Sequence, residues 1–230
     1  MDDLKLYEQF RDLCLSFPKL RLQRDGEGSW RIHGALKFSR NYSGCRIEDE
    51  YYVKIIVLDK YPDELPKTFE IGNRIPQDFH HFLDDSLCLG APLAVKQKFR
   101  RQPTLFGYVE NCVIPYLYSF SYKCKYGKMP FGELSHGGIG ILEYYQDLFG
   151  VKDRRRALKL IGILAEGNYR GKDRCPCGSG KRLRSCHDRV LSEIKELQSA
   201  VELLKEYQWI VRDLAQKAMS TNSNRRNPST

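Results

Sequence analysis

Leu6, Phe10, Leu13 and Phe17 recur at three- and four-residue steps, one face of a helix, and Pro18 supplies a stop. The next segments alternate instead. LRLQRD, a DGEG turn, WRIHGALKFS, then EYYVKIIVLD and a shorter TFEIG read as a meander of strands, rich in β-branched and aromatic residues. Residues 72–103 keep no period and hold several Pro and Gly, which predicts one long irregular stretch, and loops of that length inside a domain are usually functional. From Thr104 to about Ser121 the apolar positions resume as a helix that Pro115 kinks or splits. GELSHGGIGILEYYQDLFG then gives a Gly-rich turn and another helix.

Beyond Val151 the pattern predicts a short basic helix in RRRALKLIGILAEG and a compact Cys-rich loop. Val190, Ile194, Leu197, Val201, Leu204, Val211, Ala215 and Ala218 then form a heptad-like seam, with Gln208 at its one polar position. Such a seam belongs to a long helix that either folds back on its own chain or pairs with a second copy. The last eleven residues, STNSNRRNPST, read as a disordered tail.

Composition changes this picture in one respect. The formal net charge is +9, and it is unevenly spread. Residues 1–150 hold 20 basic and 20 acidic side chains, whereas residues 151–190 hold 12 basic and 4 acidic, a net +8. A neutral body therefore carries a basic module: a domain over 1–150, a second segment over 151–219 and a tail over 220–230. No apolar run approaches the roughly 18 residues of a membrane span, and the start MDDLKLYEQFRD lacks the features of a signal peptide. A cytoplasmic protein with no membrane partner is the expectation. Eight cysteines are too few for a disulfide scaffold, and three of them crowd into one short segment, the usage of a metal cluster in a reducing compartment.

That segment is CPCGSGKRLRSCH, in which Cys175, Cys177, Cys186 and His187 form C-x-C-x8-C-H. Three thiolates and an imidazole complete the tetrahedral shell that a structural Zn²⁺ prefers. Gly178, Ser179 and Gly180 permit the turn between the two halves, and Lys181, Arg182 and Arg184 favour the anionic thiolates. The segment resembles the SEC-C motif, the zinc hook of the bacterial secretion ATPase. The resemblance implies bound zinc and a recruitment role, through protein or nucleic-acid contacts.

A second constellation lies in KYPDELP and RIPQDFHHFLDDSLCLGAPLAV. Cys88 alone between leucines reads as a small core residue, but its context is distinctive. An N-terminal helix, an antiparallel meander, a Tyr-Pro turn, a long loop, a Cys-Leu pair and C-terminal helices follow in that order over residues 1–150. This α+β arrangement resembles the ubiquitin-conjugating-enzyme fold. Tyr61, Pro62 and Pro66 match the family's Tyr-Pro turn, and Ser86, Leu87, Cys88 and Leu89 match the segment around its catalytic cysteine, with Asp85 where a glycine usually stands. The family's His-Pro-Asn is replaced by Asp78, Phe79 and His80, and a His at the Asn position resembles the prokaryotic branch.

The resemblance implies that Cys88 takes the acyl group of a ubiquitin-like modifier as a thioester and passes it to an amine of a target protein. His80 either bonds the oxyanion or supports the loop; His81 beside it reads as an exposed neighbour. Asp84 and Asp85 orient or deprotonate the incoming ammonium, or are simply solvated. The family's later acidic residue has no counterpart, since SFS surrounds Phe120 at that distance. A separate activating enzyme is implied, and such proteins occur in bacterial conjugation operons, including antiviral defence. Two rivals remain. One is a non-catalytic adaptor of the same fold whose basic zinc module binds protein or nucleic acid. The other is a cysteine peptidase pairing Cys88 with His136. Cys14, Cys45, Cys112 and Cys124 read as structural or incidental thiols, and Tyr144 and Tyr145 as helix-face packing.

Overall fold

The computed structural model describes residues 2–24, 29–42, 44–130 and 135–226, with side chains through Met219. The DGEG turn falls outside the described residues. The chain divides into two compact units, Met1–Glu133 and Leu134–Thr230. The sequence places this division after Gly150; the structure moves it earlier because the helix over residues 137–149 packs on the helices that follow it, while the Gly-rich turn expected before it lies partly outside the described residues.

The first unit opens with α1 (Asp3–Ser16), capped by the Asp2 carboxylate and ended before Pro18. Its stripe buries Leu6, Leu13 and Phe17. Strands β1 (Leu20–Arg24), β2 (Trp30–Tyr42), β3 (Cys45–Val57) and β4 (Lys67–Glu70) form one antiparallel sheet in sequence order. The class is α+β. Cross-strand pairs such as Ile32↔Ile55 and Leu36↔Tyr51 turn inward together, as a period of two requires. Glycine is required at position 34, opposite Leu20 at the start of β1: its φ is +140°, and a Cβ there would stand 2.3 Å from the Lys19 carbonyl oxygen.

The stretch 72–103 is not wholly irregular, because α2 (Pro92–Arg100) lies inside it with Pro at its first turn. Pro92 marks a helix start, since its fixed φ suits that position. The helical stretch that follows comprises α3 (Leu105–Tyr108), a π-turn over Val109–Val113 and α4 (Ile114–Tyr126). The Ile114 N–H donates to the Val109 carbonyl five residues back. One extra residue in that turn absorbs Pro115, whose ring and missing N–H disrupt a regular ladder. The stretch continues as a helix and covers the sheet with Leu117 and Phe120, and Ser121 bonds the Tyr51 hydroxyl at 2.7 Å.

The second unit is helical: α5 (Gly137–Phe149), α6 (Arg154–Ala165), α7 (Asp188–Leu197) and α8 (Ala200–Arg226). A Cβ on Gly138 would lie 2.7 Å from the Ile210 Cα, so glycine permits the close crossing of α5 and α8. Asp213 reaches from α8 to accept the Gly138 N–H at 2.7 Å. Tyr145 does more than pack: its buried hydroxyl lies 3.0 Å from the Gln198 side-chain oxygen and 2.8 Å from the Glu206 carboxylate.

The predicted heptad seam does not run as one continuous helix. Gln198 is extended (φ −131°, ψ 135°) and divides the predicted helix into α7 and α8. The break resets the phase, so α8 buries Leu203, Glu206 and Ile210 while Val201, Leu204 and Val211 stay exposed. Ser199 and Glu202 restart the helix as a capping box: the Glu202 carboxylate accepts the Ser199 N–H at 2.8 Å, and the Ser199 hydroxyl accepts the Glu202 N–H at 3.3 Å. Ser199→Ala should therefore destabilise the second unit by about 1 kcal/mol, read as a lower denaturation midpoint with an unchanged slope. Helix α8 runs on through Arg226, past the predicted start of the tail, and residues 227–230 lie outside the described residues.

Candidate functional site

The cysteine-rich loop is folded by short-range backbone bonds. The Cys175 N–H donates to the Lys181 carbonyl at 2.8 Å and the Leu183 N–H to the Asp173 carbonyl at 2.9 Å. A turn through left-handed Gly178 and Gly180 joins these two legs. A 3₁₀ turn, Leu183–Ser185, then delivers Cys186 and His187 to the start of α7. The four candidate ligand atoms converge within 4.8 Å of one another. His187 Nδ1 lies 3.2 Å from both the Cys175 and Cys186 sulfurs, and the Cys177 and Cys186 sulfurs are 3.5 Å apart. Ligands on a tetrahedron with metal–sulfur bonds of about 2.3 Å stand about 3.8 Å apart, so the spacing fits a metal ion.

Two further contacts support that fit. His187 Nε2 donates to the Phe149 carbonyl at 2.9 Å, which leaves Nδ1 as the lone-pair nitrogen facing the sulfurs. Burial opposes ionisation of Cys177, but bonds from the Ser179 hydroxyl and N–H and from the neighbouring thiols outweigh it and bring the thiol down to about 6. Burial pushes Cys175 up, to about 12. Ser179 also stands beside the cluster, its hydroxyl 3.3 Å from the Cys186 sulfur. Arg156 adds a bond from Nη1 to the Cys177 carbonyl at 3.1 Å.

The other constellation lies in the first unit, between β4 and α2. Glu70 at the end of β4 accepts the N–H groups of Gly72 and Arg74 at 2.7 and 2.8 Å, which fixes the start of the loop. Phe79 is buried against Tyr116 and Phe120. Residues 80–88 then make a small hairpin. His81 bridges Leu87, the Phe82 N–H donates to Ser86 at 2.8 Å, and the Leu87 N–H donates to Thr68 at 2.7 Å. The Cys88 N–H closes it by donating to the His80 carbonyl at 2.8 Å. Tyr116 holds the same point: its hydroxyl donates to the Phe79 carbonyl at 2.9 Å and lies 3.3 Å from that of His80.

Of the four residues the sequence proposes for chemistry, Cys88 and His80 are thus brought together through their backbones. The Cys88 sulfur is half-buried and 4.0 Å from the Gly90 carbonyl, and burial pushes its thiol up. Asp84 is committed elsewhere. It pairs with Lys67 at 2.6 Å and accepts the Ser86 hydroxyl, and these two partners hold its carboxyl down at about 2. Asp85 is exposed at the hairpin turn, with φ of 63°. His80 is left-handed too, at φ 45°, and its ring packs edge-on against Phe79. Asp, Asn and His are the non-glycine residues that tolerate this region best. His81 is half-buried, its Nδ1 has no hydrogen-bond partner, and it is not the exposed neighbour the sequence suggests. His136 precedes α5 in the second unit. Tyr116 and Lys67 carry no signal in the sequence; only the folded hairpin reveals them.

No protein-family model and no curated protein matches this chain. Among the described residues, no helix is long and apolar enough to cross a membrane.

The left-handed turn yields a graded prediction. His80→Asn and His80→Gly should keep the hairpin, whereas His80→Ala should cost about 1 kcal/mol or more, because alanine resists that conformation. Thermal unfolding of the three variants checks the order. Equal losses in all three would instead assign the effect to the imidazole.

Proposed function

We propose that the first unit is a ubiquitin-conjugating-like acyltransferase and that the second unit is held by a structural Zn²⁺ and recruits a partner. The carrying observation is the closed hairpin that sets the half-buried Cys88 thiol against the His80 backbone. The two departures from the family's pattern, His80 for Asn and Asp85 for Gly, both fall on left-handed residues. That shared conformation supports the resemblance, because each substitution meets the same backbone demand.

In this reading the Cys88 thiolate adds to the thioester carbonyl of an activated modifier, and the activating enzyme's thiol departs. A target amine then attacks the new thioester, loses a proton to solvent or partner, and Cys88 leaves as thiolate. Because burial raises the Cys88 thiol, loading should accelerate as pH rises through and above the ordinary thiol range. Asp84, held as a weak base by Lys67 and Ser86, maintains the hairpin rather than taking the amine's proton. Zinc, when bound by Cys175, Cys177, Cys186 and His187, would supply a cross-link between the loop's two legs and α7.

One observation favours the adaptor as a second reading: burial pushes the Cys88 thiol up, which leaves less of the thiolate that would attack. The two are separated by a non-reducing gel of the protein with its cognate modifier and activating enzyme. A reductant-sensitive adduct supports the transferase. Full biological activity in Cys88→Ala, together with its loss in Cys177→Ser, would support the adaptor.

A further inference from the structure

The cysteine-rich hairpin holds an arrangement that metal binding does not require. Arg174 and Arg182 sit directly opposite each other in an isolated antiparallel bridge. Side chains so placed are separated by about 5 Å at Cβ, and like charges there are destabilising. Lys172, Lys181 and Arg184 flank the bridge, and all five are exposed. None of them forms an ion pair among the described residues. Between Arg170 and His187 the single acid is Asp173, against six bases. Cys175 and Leu183, next to the paired arginines, are buried, so the inward positions are apolar and the cations have no counter-charge beneath them.

A repulsive pair held in place by its own fold is suited to an external anion. The face carries no large exposed apolar side chain that would enter a lipid surface or anchor a protein partner. It also offers no stacking platform for single-stranded bases: the nearby Tyr169 gives its hydroxyl to Asp188, and its ring lies under Lys195 at 4.9 Å. What remains is a dense, arginine-rich field, and guanidinium forks match phosphate oxygens.

We propose that the Arg174–Arg182 bridge and its flanking cations bind the phosphate backbone of double-stranded nucleic acid without reading its sequence. This surface is independent of Cys88, so the transferase reading and this one can fail separately.

The test is fluorescence anisotropy of the full, zinc-loaded chain with a 20-base-pair DNA duplex and an RNA duplex of the same length, in 50–200 mM salt. If about four cations meet phosphates, the log–log salt slope should be near −3.6, a loss of about 150-fold across that range. Arg174→Ala/Arg182→Ala should make the slope shallower by about 1.8, while Arg174→Lys/Arg182→Lys should retain it. Zinc content and circular dichroism matching wild type would exclude misfolding, and Cys88→Ala should bind as wild type does. Binding to either duplex with these slopes supports the proposal, and the two arms tell which duplex is preferred. The proposal is overturned if both duplexes fail to bind, or if the alanine pair leaves the slope unchanged. Tighter binding to phosphatidylserine vesicles or to polyglutamate would reassign the face to a membrane or to an acidic protein.

Discussion

Cys177→Ser protein should be purified with far less zinc than wild type, which should carry about one ion per chain, and its residues 171–187 should become open to protease. A structural zinc site contributes roughly 10–16 kcal/mol in small zinc-finger peptides, comparable with the whole stability of a domain, about 5–15 kcal/mol. A hydroxyl does not replace a thiolate in that shell. With the metal lost, little beyond short backbone bonds and the buried Leu183 would hold the two legs together. His187 would also lose the reason to keep Nδ1 turned toward the sulfurs while Nε2 holds Phe149. The first unit should keep its own melting transition, since its core runs from Leu6 through Phe120 without any candidate ligand. Acid should mimic the variant, because falling pH protonates the thiolates and releases the metal. Inductively coupled plasma mass spectrometry and limited proteolysis read both effects. A variant with full metal content and an unchanged cleavage pattern would remove the zinc centre from this account.

The legible parts of the fold were those whose period is local. The α1 stripe, the alternation of β2 and β3 and the ligand spacing from Cys175 to His187 all recur within a few residues, and they fold as that spacing implies. Where tertiary demands overrode the local pattern, the sequence misled. Val201, Leu204 and Val211 keep a heptad rhythm, yet Gln198 breaks the helix because its side chain serves the buried Tyr145–Glu206 pair. The capping box of Ser199 and Glu202 was a readable sign of that break. Pro92 was likewise a readable helix start inside the supposed long loop. The thiol site was legible only as a list. Cys88, His80, Asp84 and Asp85 stand together in the chain, but nothing local says that Asp84 turns to Lys67, or that Tyr116, far along the sequence, fastens the hairpin.

Cys88→Ala should abolish covalent capture of the modifier, the largest functional loss expected of any single substitution. In the proposed reaction the Cys88 thiol is the group that accepts the acyl. Removing it leaves the backbone bond from residue 88 to His80 intact, so the loss should come without unfolding. Cys88→Ser, which presents a hydroxyl at the same point, should trap an oxyester that resists thiol reductants. His80→Ala should still accept the modifier and discharge it more slowly; loss of one oxyanion donor costs about 3 kcal/mol, or roughly a hundredfold. Discharge at the wild-type rate in His80→Gly, which keeps the turn without the imidazole, would assign His80 to the turn alone.

The most direct measurement is the intact mass of the protein after incubation with its modifier, activating enzyme and ATP, taken with and without reductant. The account predicts a mass increase of one modifier less one water, borne by the peptide containing Cys88, removed by reductant in wild type, retained in Cys88→Ser and absent in Cys88→Ala. An adduct that persists in Cys88→Ala, or no adduct on wild type with an activating enzyme shown to be charged, would contradict it.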